Sequence, residues 1–529
     1  MKKIKIIILV LLIIITGVYT VNAENYGGDL KVKINKRPLN LNPIYSFNQT
    51  EKIINSQIFD KLLVLNNKGE IVNNLSKSWE INENSTVFSF ILKKDVYFHP
   101  YKRDGKEIPL EQRKVTAEDW KWSFEYLANP ENKSPNAEIF NKVLGYDDYR
   151  QQKEKEITGI RVIDDYQLEI ELKKPYAPFI YNLVKEAAVV IPKQAVLNTD
   201  QNFALAPVGT GAFKLKEFLN NKIVLTENKN YWKNNYQKEK LPYLKKIDFY
   251  FNESNDLNSN YQDFDLYQLE EDQFTDYQHQ KNIKNNYSFK KIVDNNIYFA
   301  AFNYKNNFDL NPNFKERNEK IKSILNKNEF IQNLNLNNFS YLKNGSNDLK
   351  ILNKINYQNQ QLSKQELNIN KKYLLEIAIN NSKLNNKISQ LIKKELKSNY
   401  IDLDINEYNW TKYLNILKDD LNGQLFIMTY NYNNKFNFIT DNFYSESENN
   451  YFNYENRRLD NLIDYIKLTK NENKQDKAYE IIEEILLNDN PFIFILQSQD
   501  NYLITNQLLN QDIFENIYTR NNFELLYFK

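Results

Sequence analysis

Apolar and polar residues alternate along Asp29-Leu30-Lys31-Val32-Lys33-Ile34, a pattern that predicts a half-buried strand, broken after Leu39 by Leu41-Asn42-Pro43. Ile53, Ile54, Ile58, Phe59, Leu62 and Leu63 then recur at three- and four-residue spacing, which predicts a helix. Asn66-Asn67-Lys68-Gly69 reads as a turn, and Thr86 to Leu92 alternates as a strand. Thr116-Ala117-Glu118-Asp119 has capping-box spacing, opening a helix that buries Trp120, Phe124 and Leu127. Ile160–Ile163 and Leu168–Leu172 predict a hairpin around Asp164-Asp165. In the second half, Leu374–Ile379, a helix carrying Ile388, Leu391, Ile392 and Leu396 on one face, and Ile401–Ile405 form a strand–helix–strand unit. Such a unit forces parallel pairing with a right-handed crossover. Leu425–Met428 adds a strand, helices follow through Leu459–Leu468 and Lys477–Leu487, and Pro491–Leu496 reads as a buried strand returning toward the first half.

Glycine is scarce, at 11 in 529 residues, yet two fall within Pro207-Val208-Gly209-Thr210-Gly211-Ala212-Phe213. A pair this close predicts a turn with unusual torsions, since glycine reaches positive φ without steric penalty. No Gly-Lys-Ser/Thr follows, so it is not a phosphate loop. At the N-terminus a basic start (Lys2, Lys3, Lys5), an apolar run from Ile6 to Ile15 and Val21-Asn22-Ala23 read as a cleavable signal peptide over 1–23. Without those three lysines, 67 basic side chains face 68 acidic ones. That near-neutral balance gives no long-range field for nucleic acid or an anionic membrane. Zero cysteines exclude disulfides and a lipid-modified cysteine tether, so a periplasmic location is expected.

Two histidines, two methionines and no cysteine leave no inventory for a thiolate, multi-histidine or methionine-rich metal site, and no cofactor is expected. With 68 acids a carboxylate-pair glycan hydrolase is open to the chain, though no segment favours it.

Six blocks, Leu41-Asn42-Pro43, Phe59–Leu63, Leu75–Trp79, Thr116–Trp122, Val162–Leu172 and Pro207–Phe213, stand in one order. In that order the chain resembles the family 5 extracellular solute-binding proteins, the peptide-type receptors of ABC importers. The resemblance implies an α/β, periplasmic-binding-protein-like fold with a hinge and three lobes. Lobe I would comprise 24–58, 202–294 and 498–529; lobe II, an extra α+β subdomain, 59–201; and lobe III 295–497. It implies a monomeric, non-enzymatic receptor that closes on a peptide and is recognised by permease subunits. It also places His99 on a solvated surface loop.

By order and spacing, the residues implied at the ligand are Phe47, Asn48, Gln49, Asn136, Gln268, Asn296 and Trp410. Peptide-binding relatives then carry a tryptophan and, three residues on, an aspartate that holds the ligand's ammonium. Aligned without gaps from Gly423, Tyr432 takes the tryptophan place and Lys435 the aspartate place; a shifted register offers Asn431 or Asn433, and no acid appears until Asp441. Either another carboxylate such as Glu270 or Asp294 substitutes, or the ligand differs. An oligosaccharide, or a ligand with an anion facing Lys435, is the alternative within the family; a secreted glycan hydrolase or a ligand-sensing accessory protein is the alternative outside it.

Overall fold

The computed structural model describes residues 27–46, 48–198, 202–233, 240–251, 261–269, 283–304, 312–325, 339–341, 354, 373–419, 425–432, 434–515 and 521–528. Eleven described strands form one large sheet. Its order is Phe213–Phe218, Lys222–Glu227, Lys246–Phe251, Asp29–Ile34, Leu266–Leu269, Phe492–Thr505, Tyr287–Phe302, Leu425–Asn431, Tyr373–Asn380 and Ile401–Tyr408, with Phe339–Tyr341 pairing onto Phe492–Thr505. The alternation at Asp29–Ile34 gives a strand parallel to Lys246–Phe251, with Asp29 opposite Lys246 and Ile34 opposite Phe251. The strand–helix–strand reading holds: Tyr373–Asn380 and Ile401–Tyr408 pair in parallel across the Lys383–Lys397 helix, whose Ile388, Ile392 and Leu396 are fully buried.

The middle of the sheet is a long antiparallel pair, Tyr287–Phe302 against Phe492–Thr505. Successive side chains of a strand point to opposite faces. Accordingly Ile297, Phe299 and Ala301 enter an aromatic core with Phe426, Phe443, Phe452 and Phe492, while Ala300 and Phe302 enter a separate core with Ile377, Ile388 and Leu403. A third and larger core serves the first half of the chain and takes in Tyr502, Ile504 and Phe523 from the C-terminal part. The ladder of the long pair is irregular at two places, between Val293 and Ile297 and, by a single residue, between Ala300 and Ala301. Val293 faces Gln499 and Ile297 faces Gln497, so four steps on one strand match two on the other. Such an insertion bends a strand and concentrates its twist.

A separate four-stranded antiparallel sheet orders Ser76–Ile81, Val87–Leu92, Gln167–Glu171 and Ile160–Asp164. Against it lies the Ala117–Ala128 helix, which Asp119 caps by accepting from the Thr116 N–H at 2.9 Å. Phe88, Phe124, Phe140 and Phe179 close this core, with ring centroids 4.6–6.4 Å apart in successive pairs. The same helix carries Glu125, which accepts from the Ile157 N–H at 3.0 Å. Burial pushes its carboxyl up to about 7, opposed by that hydrogen bond and by Lys121. Because its folded pKa lies above the free value, the contribution is favourable at low pH and is lost as pH rises from the free value toward 7. Glu125→Gln keeps the acceptor and removes the charge. It is expected to raise stability at pH 8 by about 1–2 kcal/mol, a figure reduced for partial exposure. Urea midpoints of the two proteins should differ at pH 8 and coincide at pH 4.

The first predicted helix is shorter than its apolar spacing suggests. It runs Gln49–Ile58, with Phe59 as C-cap, while Leu62 and Leu63 are buried from an extended segment. Asp60 ends it. Its carboxylate accepts from Thr210 Oγ1 at 3.0 Å and Trp232 Nε1 at 2.9 Å, which draws the chain out of helical geometry.

Candidate functional site

The Gly209-Thr210-Gly211 segment is a packing device. Neither glycine has a positive φ, so the expected torsional reason is replaced by a steric one. A Cβ at Gly209 would stand 2.1 Å from the Ile58 carbonyl oxygen, and one at Gly211 2.4 Å from that of Gln57. The segment thus lies directly against the end of the first helix, where the Gly211 N–H donates to Ile58 O at 2.8 Å and Thr210 reaches Asp60. His99 completes the knot, and the expectation of a solvated loop is corrected. It is 2 % exposed, its Nε2 donates to Gly211 O at 2.9 Å, and its Nδ1 faces the Gly209 N–H at 3.4 Å. Burial drives its pKa down to about 4, so the ring is neutral. Its partners are backbone atoms, with no orienting carboxylate.

In front of this knot opens a cleft of about 980 Å³. Asn48, Gln49, Asn136, Gln268 and Asn296 all line it, drawn from four separate stretches of sequence. Asn48 caps the Gln49–Ile58 helix by accepting from the Glu51 N–H at 3.0 Å, so its side chain is engaged. Asn136 donates to Ile44 O at 3.1 Å and Ser46 O at 3.3 Å, tying the second subdomain to the segment ahead of that helix. Gln268 accepts from the Asn35 N–H at 3.1 Å, and Asn296 accepts from Asn431 Nδ2 at 2.9 Å. Phe47 lies outside the described residues, as do Asn433, Glu270 and the side chain of Asp294.

The remaining expected residues do not line this cleft. Trp410 opens a helix, half exposed, with its ring 5.9 Å from Tyr413. Tyr432 is buried in the aromatic core, 5.9 Å from Phe438. Lys435 holds its ammonium 3.9 Å above the Tyr479 ring. The reason is strand geometry. Leu425–Asn431 presents Asn431 to the cleft, and alternation turns the flanking Tyr430 and Tyr432 onto Phe438. Asn431, offered by the shifted register, lines the cleft, as does Asn434.

Charged residues carry no periodic signal, and the cleft's were not foreseen. Lys61 pairs with Glu186 at 2.9 Å, Lys233 with Glu524 at 3.4 Å, and Lys185 stands beside the first pair. Lys233, which lines the cleft with Asp60 and Tyr231, and Lys93 lie over the Trp232 ring at 5.3 and 4.3 Å. Burial and Lys233 hold Lys93 below the usual lysine range, with Asp60 opposing them. Burial likewise lowers Lys185, opposed by Asp441.

The large polar cleft, lined from both halves of one sheet, fits the class of solute-binding proteins that the sequence profile shows. The chain belongs to the bacterial extracellular solute-binding proteins, family 5, whose sequence profile matches residues 70–451. It is 30% identical over 191 residues to the periplasmic oligopeptide-binding protein OppA of Escherichia coli (strain K12), covering 35% of this chain and 33% of that one. It is 28% identical over 222 residues to the periplasmic murein peptide-binding protein MppA of the same strain, covering 41% and 38%. The matched segments thus span between a third and two fifths of these relatives. Among solved structures, the unliganded open form of the murein tripeptide-binding protein MppA aligns with a TM-score of 0.72 at 19% identity, covering 94% of this chain and 97% of that one. The binding protein DppA from Helicobacter pylori, in complex with peptide STSA, aligns at 0.62 and 18% identity, covering 95% and 98%. These likenesses show the fold: two α/β lobes and an additional α+β subdomain.

Proposed function

We propose that this protein is the periplasmic receptor of an ABC importer, capturing a peptide-like solute in the cleft by hinge closure and presenting it to the permease without chemical change. The observation that carries the reading is the position of the cleft beside the irregular crossing of Tyr287–Phe302 and Phe492–Thr505. Two strands whose ladder shifts register beside the cleft permit one lobe to rotate while each core stays intact. The lobe boundaries proposed are 24–58 with 202–294 and 498–529, then 59–201, then 295–497. The change of ladder at 293–297 and 497–499 falls on two of them. In this reading the protein works as a monomer, and residues 1–23 direct export. Relatives named for oligopeptide and murein-peptide binding support a peptide-like ligand.

Native mass spectrometry of gently purified protein tests the ligand class. Retained masses should resolve into amino-acid residue increments, and a hexose-increment series would establish the oligosaccharide alternative instead. Small-angle scattering tests the mechanism: the radius of gyration should fall on addition of the retained ligand.

A further inference from the structure

The described residues bury their apolar side chains in separate bodies. Residues 30–34, the four-stranded sheet and its Ala117–Ala128 helix share one core, and the second half of the chain has an aromatic core of its own. Tyr176 packs against both. Its ring meets Phe436, at the start of the Lys435–Phe443 helix, edge-on with 5.9 Å between centroids. Its N–H donates to Ser85 O at 3.0 Å, which ties it to the turn between strands Ser76–Ile81 and Val87–Leu92. That turn makes the rest of the contact. Ser85 Oγ donates to Leu468 O at 3.3 Å, at the end of the Arg457–Leu468 helix, and Lys470 Nζ donates back to Ile81 O at 2.9 Å.

The turn is shaped for this seam. The tip of a hairpin is ordinarily exposed, yet Ser85 is fully buried. It holds a φ of +53°, in the left-handed region that a residue with a Cβ adopts at a cost. Asn82 fixes the conformation by accepting from the Thr86 N–H at 2.8 Å and the Val87 N–H at 3.1 Å. Strain kept at a contact between two bodies points to a use for that contact.

The seam borders the cleft, since Tyr181, Val184 and Lys185, which follow Tyr176 along the chain, line it. The cleft itself stands open. Among its described lining residues, 295–497 supply only Asn296, Asn431 and Asn434, and Trp410 lies half exposed outside it. A rotation that narrows the cleft has its axis through the strands at 293–297 and 497–499. Hydrogen bonds away from such an axis depend on angle as well as distance, and do not keep their geometry through the rotation.

Resting on the hinge closure and lobe division proposed above, we propose that this seam is an internal brake: it holds the cleft open and parts when lobe III closes. A receptor whose open form is favoured in this way has a weaker apparent affinity than its closed form alone would show.

The chain has no native cysteine, so spin labels can be placed at chosen sites. Lys216→Cys and Asp404→Cys put them at exposed positions on Phe213–Phe218 and Ile401–Tyr408, the outermost strands of the sheet order. Double electron–electron resonance on the full mature chain then follows their separation as a tryptic casein digest or a maltodextrin mixture is added. Whichever mixture shifts the wild-type distance distribution reports closure and gives a half-saturating concentration. Adding Ser85→Gly and Lys470→Met removes both donors, with glycine suited to the positive φ, and should lower that concentration roughly threefold or more. Lys470→Met alone, at an exposed position, should move it in the same direction, and Lys470→Arg, which keeps a donor, should titrate as the wild type; thermal melts verify folding. An unchanged or raised half-saturating concentration in the variants lacking the donors would overturn the brake and leave the receptor reading standing, because the wild type still closes. A wild type that responds to neither mixture would overturn hinge closure and the brake together.

Discussion

Gly211→Ala is expected to cost about 3–4 kcal/mol of stability, and Gly209→Ala at least as much. The added methyl group meets main chain in both cases, 2.4 Å from Gln57 O and 2.1 Å from Ile58 O. Main-chain atoms at the end of a hydrogen-bonded helix cannot swing aside as a side chain would, so relief requires the two segments to separate. Separation would break the Gly211–Ile58 hydrogen bond at 2.8 Å and the contact of Thr210 with Asp60. It would also strip the buried carbonyl of Gly211 of its donors, His99 and Asn228, both at 2.9 Å. Gly105 is the control. Its φ is +72° with nothing within 4 Å of a built Cβ, so alanine there should cost only the left-handed torsion, about 1 kcal/mol. Urea midpoints of the three variants check the ranking, and a Gly211→Ala protein as stable as Gly105→Ala would refute the steric account. Because Asp60 lines the cleft, a separated knot should also weaken ligand binding in whatever fraction remains folded.

The signature turn shows what sequence can and cannot carry. Its position and its coupling to an ordered series of blocks are visible in the residues, as are the capping box at Thr116, the hairpin at Asp164-Asp165 and the strand–helix–strand unit at 373–408, because each depends on neighbours a few positions away. The reason for the glycines is not visible, because the atoms they make room for lie some 150 residues earlier in the chain. His99 fails for the same reason: its polar surroundings in sequence suggest water, yet its partners are backbone atoms of Gly209 and Gly211. The cleft divides along the same line. Asn48, Gln49, Asn136, Gln268 and Asn296 could be placed by order along the chain. Tyr432 could not, since a single step along a strand exchanges cleft for core, and Asn431 holds the cleft side.

His99 should make the protein acid-sensitive in a defined window. Its folded pKa lies near 4, below the ordinary value of 6.5, because burial disfavours the imidazolium more than the hydrogen bond to Gly211 favours it. An unfolded chain therefore takes up this proton as pH falls through 6.5, while the folded protein refuses it until about 4. The stabilisation is complete above the first value and is progressively lost toward the second, for a total of about 3 kcal/mol. His99→Gln retains a donor for Gly211 O but does not titrate. It should be less stable than the wild type at pH 7.5, where an imperfect fit leaves space in the knot. The deficit should shrink by about 3 kcal/mol as both proteins are taken to pH 4, since the variant is spared the linkage term. Carboxylates common to both proteins cancel in that difference. Independently, protein labelled at histidine Cε1 has two resonances to follow, and the variant assigns the one from His99. That resonance should hold its neutral position down to pH 5, and a midpoint near 6.5 would show that the ring is solvated and that the knot behind the cleft is looser than its hydrogen bonds imply.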